Sequence, residues 1–244
     1  MPSIQSVIIC LLVSLTAMSC GGRSAVRPSP KVGADIIKPP TADRDIWQLP
    51  ATVIELLEMS PGMSVIDLGA GDGYLTPHLS AAVGQKGKVH AVEIDDTLLT
   101  RLSALVKKRK LNNVNVIKGA IGNLPQTKPV DRILLLNTYP ELADPVNMIQ
   151  ALAKRLKPGG WLVIIDYRLD PKVPGPPISE RLGPGTIEAE ARGAGLSLVA
   201  TSDRLPRQYV AVFMRADEVS APPPAAPMPS DATPDAAPPS TESP

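Results

Sequence analysis

The chain has 244 residues, with 25 basic against 24 acidic side chains and a formal net charge of +1. A near-neutral charge gives no electrostatic case for nucleic acid, and an aromatic content of 3%, with Phe213 the single Phe, leaves little for base-stacking platforms. The length fits one domain with tails, and the two cysteines, Cys10 and Cys20, both precede that domain, so it offers no disulfide, thiol nucleophile or cysteine metal site.

Ile4 to Met18 form an apolar run followed by Ser19-Cys20-Gly21-Gly22. This resembles a lipoprotein signal peptide lipidated at Cys20, since the run is shorter than the ~20 residues that span a bilayer. Ala17 stands where such signals usually have Leu, and no Lys or Arg precedes the run. The alternative is an uncleaved anchor over residues 1–20. Arg23, Arg27 and Lys31 would then keep the rest of the chain on the cytoplasmic side. Residues 21–44 read as a Pro/Gly/Ser-rich linker, 45–216 as the folded domain, and 217–244 as a disordered Pro/Ala-rich tail.

Within the domain, Asp45 to Pro50 leads into a helix near Thr52 to Met59, with Val53, Leu56 and Leu57 on one face. Val65-Ile66-Asp67-Leu68 reads as a buried parallel strand ending in an acid. Gly69, Gly71 and Gly73 follow, and a helix runs from Tyr74 to Val83. A strand, a glycine turn and a helix set bare backbone N–H groups beside the strand's carboxyl end, where open α/β sheets bind nucleotide-like ligands. The dinucleotide fingerprint needs its third glycine one position later than Gly73. About 20 residues on, Val89 to Glu93 is a second strand ending in an acid placed to accept from ribose hydroxyls. Asp67 is too early for that role and is placed to meet an ammonium group. An amine at one end, a ribose at the other and no pyrophosphate describe S-adenosylmethionine better than NAD.

A helix from Thr97 to Lys110 ends in a basic turn that complements its dipole and is not a nucleic-acid patch. Asn115 to Lys118 is strand three and Asp131 to Leu136 strand four. Asp144 caps a helix to Leu156, Lys157 to Gly160 turns, and Trp161 to Asp166 is strand five. Pro171 to Pro177 is too rich in proline for helix or central strand. Pro184 to Ala194 is a helix, and Leu196–Asp203 and Gln208–Met214 form a closing antiparallel pair.

Asp67-x-Gly69-x-Gly71-x-Gly73, Glu93 and Leu156-Lys157-Pro158-Gly159-Gly160-Trp161 resemble the motifs of class I S-adenosylmethionine-dependent methyltransferases over roughly Asp45 to Arg215. The resemblance implies an α/β fold: a Rossmann-like, seven-stranded, mostly parallel sheet with an antiparallel last strand and helices on both faces. It implies S-adenosylmethionine as cofactor, held by Asp67, Gly69, Ala70, Gly71, Gly73, Glu93, Ile94, Ala120, Ile121 and Asn137. Trp47 and Gln48 either cover that site or pack against the sheet. Many relatives carry an acid where Ala120 stands, so backbone there or Asn123 must serve the adenine amino group. Strand four ends at the transferring methyl, and the 171–177 loop lies over the acceptor pocket.

The acceptor is expected to be a small molecule. Methyl transfer from a sulfonium needs a general base only when the nucleophile is protonated. His78 and His90 read as structural, so the candidates are Tyr139, Glu141 and Asp166, and no metal constellation is visible. Two other readings stay open: a catalytically silent, membrane-tethered binding protein on this fold, and a nicotinamide-dependent oxidoreductase, which the glycine spacing disfavours.

Overall fold

The computed structural model describes residues 41–120, 124 and 126–219. Cys20 and the apolar run before it, Ile121, Asn123 and most of the 217–244 segment lie outside the described residues. The strands are β1 (Ser64–Leu68), β2 (Lys88–Glu93), β3 (Val114–Lys118), β4 (Val130–Leu136), β5 (Leu156–Tyr167), β6 (Leu196–Ser202) and β7 (Gln208–Arg215). They pair in the order β3-β2-β1-β4-β5-β7-β6. β7 runs antiparallel to both its neighbours, and the other pairings are parallel. This is the seven-stranded Rossmann-like sheet expected from the sequence, with β7 inserted between β5 and β6.

The central strands read as continuous apolar runs because both faces are covered. Ile66, Leu68, Val92, Ile133, Leu135 and Ile164 form one core, with Ile149 and Leu152 of α5 (Pro145–Ala153) and Ile187 of α6 (Pro184–Gly193). Their chain neighbours Val65, Ala91, Leu134, Val163 and Ile165 point the other way. There they meet Val53 of α2 (Pro50–Leu56), Leu79 and Val83 of α3 (Thr76–Val83), and Leu102 of α4 (Asp96–Lys108). Asp95 caps α4 through the amides of Thr97 and Leu98, and Asp144 caps α5 through that of Asn147.

Besides shifts of a few residues at the ends of α2, α3 and α4, three boundaries differ from the sequence reading. Helix α1 (Thr41–Gln48) begins inside the stretch read as linker, because Trp47 and Gln48 anchor it by burial. Helix α5 stops at Ala153, and Leu156 already pairs with Val130 of β4. The Lys157–Gly160 turn is a bulge inside β5, since Arg132 next pairs with Trp161. Gly159 has φ +72° there, and a Cβ on Gly160 would lie 2.9 Å from the Lys157 carbonyl oxygen.

Beyond β5, the chain from Asp170 to Pro177 holds four prolines, which donate no N–H. Its carbonyls turn to one side chain instead. The buried Arg181 guanidinium donates to the backbone oxygens of Pro176 (2.8 Å), Arg168 (2.8 Å), Asp170 (3.0 Å) and Val173 (2.8 Å). Arg168 likewise donates to the carbonyls of Asp203, Leu205 and Gln208, fixing the β6–β7 connection. Both loops at the carboxyl end of β5 are therefore clasped by arginine. Arg181→Ala should lower stability by about 2–4 kcal/mol in urea unfolding and open the 170–177 loop to proteases. A variant with wild-type stability and protease resistance would show that the loop holds itself.

Candidate active site

The site grows from the β1–α3 connection. Gly69, Gly71 and Gly73 have φ of +76°, +63° and +90°. Space is as restrictive as angle. A Cβ on Gly69 would lie 2.4 Å from the Thr138 side chain, and one on Gly73 2.7 Å from Leu102 and Leu105. The Gly69 and Ala70 amides donate to the Val92 carbonyl at 2.9 and 3.0 Å, which lashes the turn to β2.

Glu93, at the end of β2, completes the lashing. Its Oε2 accepts from the Gly71 amide at 2.7 Å, and its Oε1 from the amides of Ile94 (2.8 Å) and Asp95 (3.0 Å). A carboxylate has about four acceptor positions, so one remains for a ligand hydroxyl. Glu93 is thus an organiser of the turn as well as a candidate ligand. Beside it, Ile94 is 41% exposed although apolar. It lies against Gly119, where an added Cβ would come 3.0 Å from its Cγ2. Ile94 and the exposed Ala120 form an open apolar ledge past the acid, while Ile121 falls outside the described residues.

Asp67 is buried, and its Oδ2 has no hydrogen-bond partner. Burial pushes its carboxyl up to about 7, helped by Glu93 and opposed by the Arg44 guanidinium. Arg44 belongs to α1, which lies across the turn as a strap. Its guanidinium stacks 3.9 Å from the centre of the Tyr74 ring, and the Tyr74 hydroxyl donates to Asp45 at 2.6 Å. Further along the strap, Trp47 packs on Tyr167 with ring centres 5.9 Å apart and carries Arg207 at 4.7 Å. Gln48, fully buried, donates to Gln208 Oε1 at 2.6 Å, and Gln208 Nε2 donates to Asn137 Oδ1 at 2.5 Å. Asn137 ends β4 with φ +56°, its amide held by the Ile165 carbonyl at 2.8 Å. A relay of three amides therefore ties the strap to the end of the central strand.

The three candidate bases are placed differently. Tyr139 is fully buried and donates its hydroxyl to Glu190 at 2.8 Å, so it is committed to α6. Glu141 lies exposed in a short 3-10 turn, Tyr139–Glu141. Asp166, near the end of β5, is buried; its Oδ1 accepts from the Tyr167 amide at 2.8 Å and its Oδ2 has no hydrogen-bond partner. Burial raises its carboxyl to about 7; Glu141 adds to the rise, and the Tyr167 amide and Arg181 oppose it. His78 is exposed on α3, and His90 lies in β2, lining a cavity of about 410 Å³ with Ser64, Lys88, Asn115, Lys128 and Lys157. That cavity opens at the opposite, amino ends of the strands and is remote from the glycine turn.

Arg44, Gln208 and Arg181 were not singled out from the sequence. The one signal for the first was the cluster Arg44-Asp45-x-Trp47-Gln48 ahead of β1. The pairings of Gln208 and Arg181 are long-range and leave no local pattern.

The two buried acids carry a pH signature. Asp67 and Asp166 titrate at about 7 in the folded protein against a reference of 3.8. Across that window the folded state keeps protons that the unfolded chain has released. Their contribution to stability therefore falls as pH rises from about 4 to about 7, and then levels off. Asp67→Asn and Asp166→Asn stay neutral, so each should flatten this slope and raise stability at pH 8 by on the order of 2–4 kcal/mol. Urea unfolding from pH 4.5 to 8 measures both, and parallel curves for variant and wild type would refute the burial effect.

The residues present suit S-adenosylmethionine: an unpartnered buried carboxylate oxygen for an ammonium, a tight glycine turn, and an acid with one free acceptor position for a ribose. Residues 59–196 match the family model described as a methyltransferase domain. The chain is 34% identical over 116 residues to a protein-L-isoaspartate O-methyltransferase of Methanosarcina mazei, covering 47% of this chain and 45% of the relative. It is also 34% identical over 116 residues to the ubiquinone/menaquinone biosynthesis C-methyltransferase UbiE of Shewanella sediminis, covering 47% of this chain and 46% of the relative. The match thus spans about half the length of these curated relatives. Among solved structures, a SAM-dependent methyltransferase from Aquifex aeolicus superposes with a TM-score of 0.67 at 26% identity, over 73% of this chain and all of that one. The [4+2]-cyclase SpnF shares the fold alone, with a TM-score of 0.58 at 15% identity over 69% of this chain and 80% of that one. With more than half of its length inside the family match, the chain belongs to the methyltransferase-domain family, enzymes whose methyl donor is S-adenosylmethionine.

Proposed function

We propose that this protein transfers a methyl group from S-adenosylmethionine to a small acceptor. The observation that carries the reading is the turn joining β1 to α3, with Asp67 open on one side and Glu93 on the other. When bound, the cofactor supplies an electrophilic methyl on a sulfonium, and the chain's own residues bind, orient and screen. Asp67, as the carboxylate, receives the ammonium of the amino-acid end. The fourth acceptor position of Glu93 receives a ribose hydroxyl, and Ile94 and Ala120 provide the ledge for the adenine. Asn137, held by Gln208 and the Ile165 carbonyl, fixes the end of β4 beside the reacting centre. Proximity and orientation of this kind account for much of the rate in such displacements.

Among the three candidate bases, Asp166 fits best for an acceptor that must lose a proton. Its Oδ2 has no hydrogen-bond partner, and at about 7 it exchanges a proton at neutral pH. Coverage supports a small acceptor: α1 and the Arg181-clasped loop both lie over the carboxyl end of the sheet. The curated relatives are named for O-methylation in one case and C-methylation in the other. The matched half therefore suits different acceptors, and acceptor choice belongs to the loops.

Calorimetry of the full-length protein tests the reading. S-adenosylmethionine and S-adenosylhomocysteine should bind and NAD should not; preferential binding of NAD would overturn it. Glu93→Ala leaves three backbone amides unpaired and removes the ribose acceptor. It should weaken cofactor binding by roughly 1.5–3 kcal/mol, and unchanged affinity would remove Glu93 from the site.

We also propose that the protein is membrane-tethered by lipidation of Cys20, the motive being the apolar run before Cys20-Gly21-Gly22. Intact-mass analysis of the membrane fraction should show a chain that starts at Cys20 with added lipid mass, and Cys20→Ala should abolish it. A full-length chain without lipid, protected from external protease, would instead assign the cytoplasm-facing anchor.

A further inference from the structure

The cavity of about 410 Å³ at the amino edge of the sheet takes no part in methyl transfer, and its origin lies in the chain connections. Helices α3, α4, α5 and α6 follow β1, β2, β4 and β5, but the described residues between β3 and β4 hold none. Side chains on the face toward α5 change character along the strands as a result. Ile66, Leu68 and Val92 belong to the core there. Two residues earlier on the same face, by strand alternation, stand Ser64 and His90, and Lys88 pairs with Ser64. Asn115 of β3 pairs with His90. The core thus gives way to a polar wall at the amino edge.

Three ammonium groups, those of Lys88, Lys128 and Lys157, line this space. The chain answers one of them. Asp131 Oδ2 accepts from Lys157 Nζ at 2.7 Å, from the Ser64 amide at 2.7 Å and from Ser64 Oγ at 2.9 Å. Among the described residues, neither Lys88 nor Lys128 forms an ion pair. Asn115 Nδ2 lies 3.4 Å from His90 Nδ1, and an amide nitrogen only donates, so this contact leaves the ring proton on Nε2. Burial, aided by the Lys88 ammonium, holds the His90 pKa below the ordinary histidine range. The wall therefore offers donors and two unanswered cations, in a concave site that concentrates their field.

We propose that this cavity is a second binding site, for a small organic phosphate monoester, in which Lys88 and Lys128 meet the phosphate and His90 donates to it through Nε2. Two free cations match a dianion, whereas a single carboxylate or sulfate would answer only one of them. A bare phosphate would leave most of 410 Å³ empty, and small-molecule pockets run roughly 300–1,000 Å³, so the occupant carries an organic part. The stems of the lysines and the Pro129 ring supply apolar wall for it. A soluble ester and a phosphatidic acid headgroup share this chemistry, and the experiment separates them. The site stands apart from the glycine turn and does not depend on the cofactor reading.

The alternative is that these lysines only solvate the edge of the sheet. The chain has two histidines, so NMR of the full-length, histidine-labelled protein reads the cavity directly. His78, exposed on α3, is the internal reference. Phenyl phosphate should shift the His90 ring signals saturably and raise the pH at which His90 protonates, with His78 unmoved. Phenyl sulfate, of the same shape with one charge fewer, should bind about tenfold more weakly. Lys88→Gln and Lys128→Gln should each weaken phenyl phosphate about tenfold, and Lys107→Gln on α4 should not. All three lysines are exposed, and thermal melts of the same samples check that the variants fold. Dihexanoyl phosphatidic acid is the second arm: tighter binding than phenyl phosphate assigns a lipid headgroup to the site, and weaker binding assigns a soluble ester. No His90 shift with either phosphate, equal shifts of His78 and His90, or equal binding of phenyl phosphate and phenyl sulfate would overturn the proposal.

Discussion

Three backbone amides converge on one carboxylate, and the carboxyl edge of the sheet is organised by that convergence. Glu93 takes Gly71 from the first strand's turn and Ile94 and Asp95 from the second's. Asp95 is itself the cap of α4, so the same acid reaches the start of that helix. Leu102 and Leu105 of α4 close on Gly73, the last glycine of the turn. A ring of contacts results, from Glu93 through Asp95 and α4 to Gly73 and back along the turn to Gly71. Each glycine relieves a different crowding in that ring. Bonds from three amides to one ionised acceptor are stronger than neutral ones, and they hold a turn that has no regular ladder of its own.

Around this ring the protein buries two carboxyl groups, each with one oxygen that has no hydrogen-bond partner. Asp67 and Asp166 lie on opposite faces of the sheet, as the alternation along β1 and β5 requires. Asp67 shares its face with Val65 and, across the pairing, Ala91 and Glu93. Asp166 follows Ile165 and faces the side of Tyr209 and Tyr139. Each is pushed up to about 7 mainly by loss of water. On the reading proposed above, the two faces would carry separable tasks: cofactor recognition on the side of α3 and α4, proton handling on the side of α6.

How much of this was legible follows from the range of the interactions. The strands, the glycine turn, Asp67 and Glu93 are written in runs of a dozen residues, and local pattern finds them. The bulge in β5 was half legible: Lys157-Pro158-Gly159-Gly160 is turn chemistry, and only the pairing of Leu156 with Val130 shows that the strand starts before it. The first turn of α1, Thr41 to Arg44, was read as linker, and the helix is held by Trp47 and Gln48 reaching partners far along the chain. Gln208 bonds across 160 residues to Gln48, and no window contains both. Arg181 was invisible because its partners are carbonyls, which carry no residue identity.

The same argument explains why the acceptor is harder to read than the cofactor. The proposed cofactor side rests on backbone amides and two acids, Asp67 and Glu93, fixed by a local strand–turn–helix geometry, and any sequence that makes that geometry advertises it. The proposed acceptor side lies with α1 and the 170–181 loop, which hold their shape through arginine-to-carbonyl bonds and a relay of amides. Such bonds tolerate almost any side chain on the accepting residue. Loops clasped in this way are free to change their surface while the clasp persists. The arginines that do the clasping, Arg168 and Arg181, are then the fixed points, and on the reading proposed above the residues between them, Leu169 to Glu180, would set acceptor preference. Leu169 and Ile178, apolar yet 52% and 40% exposed, lie in that interval. A buried cation that binds only carbonyls leaves such side chains free to face outward.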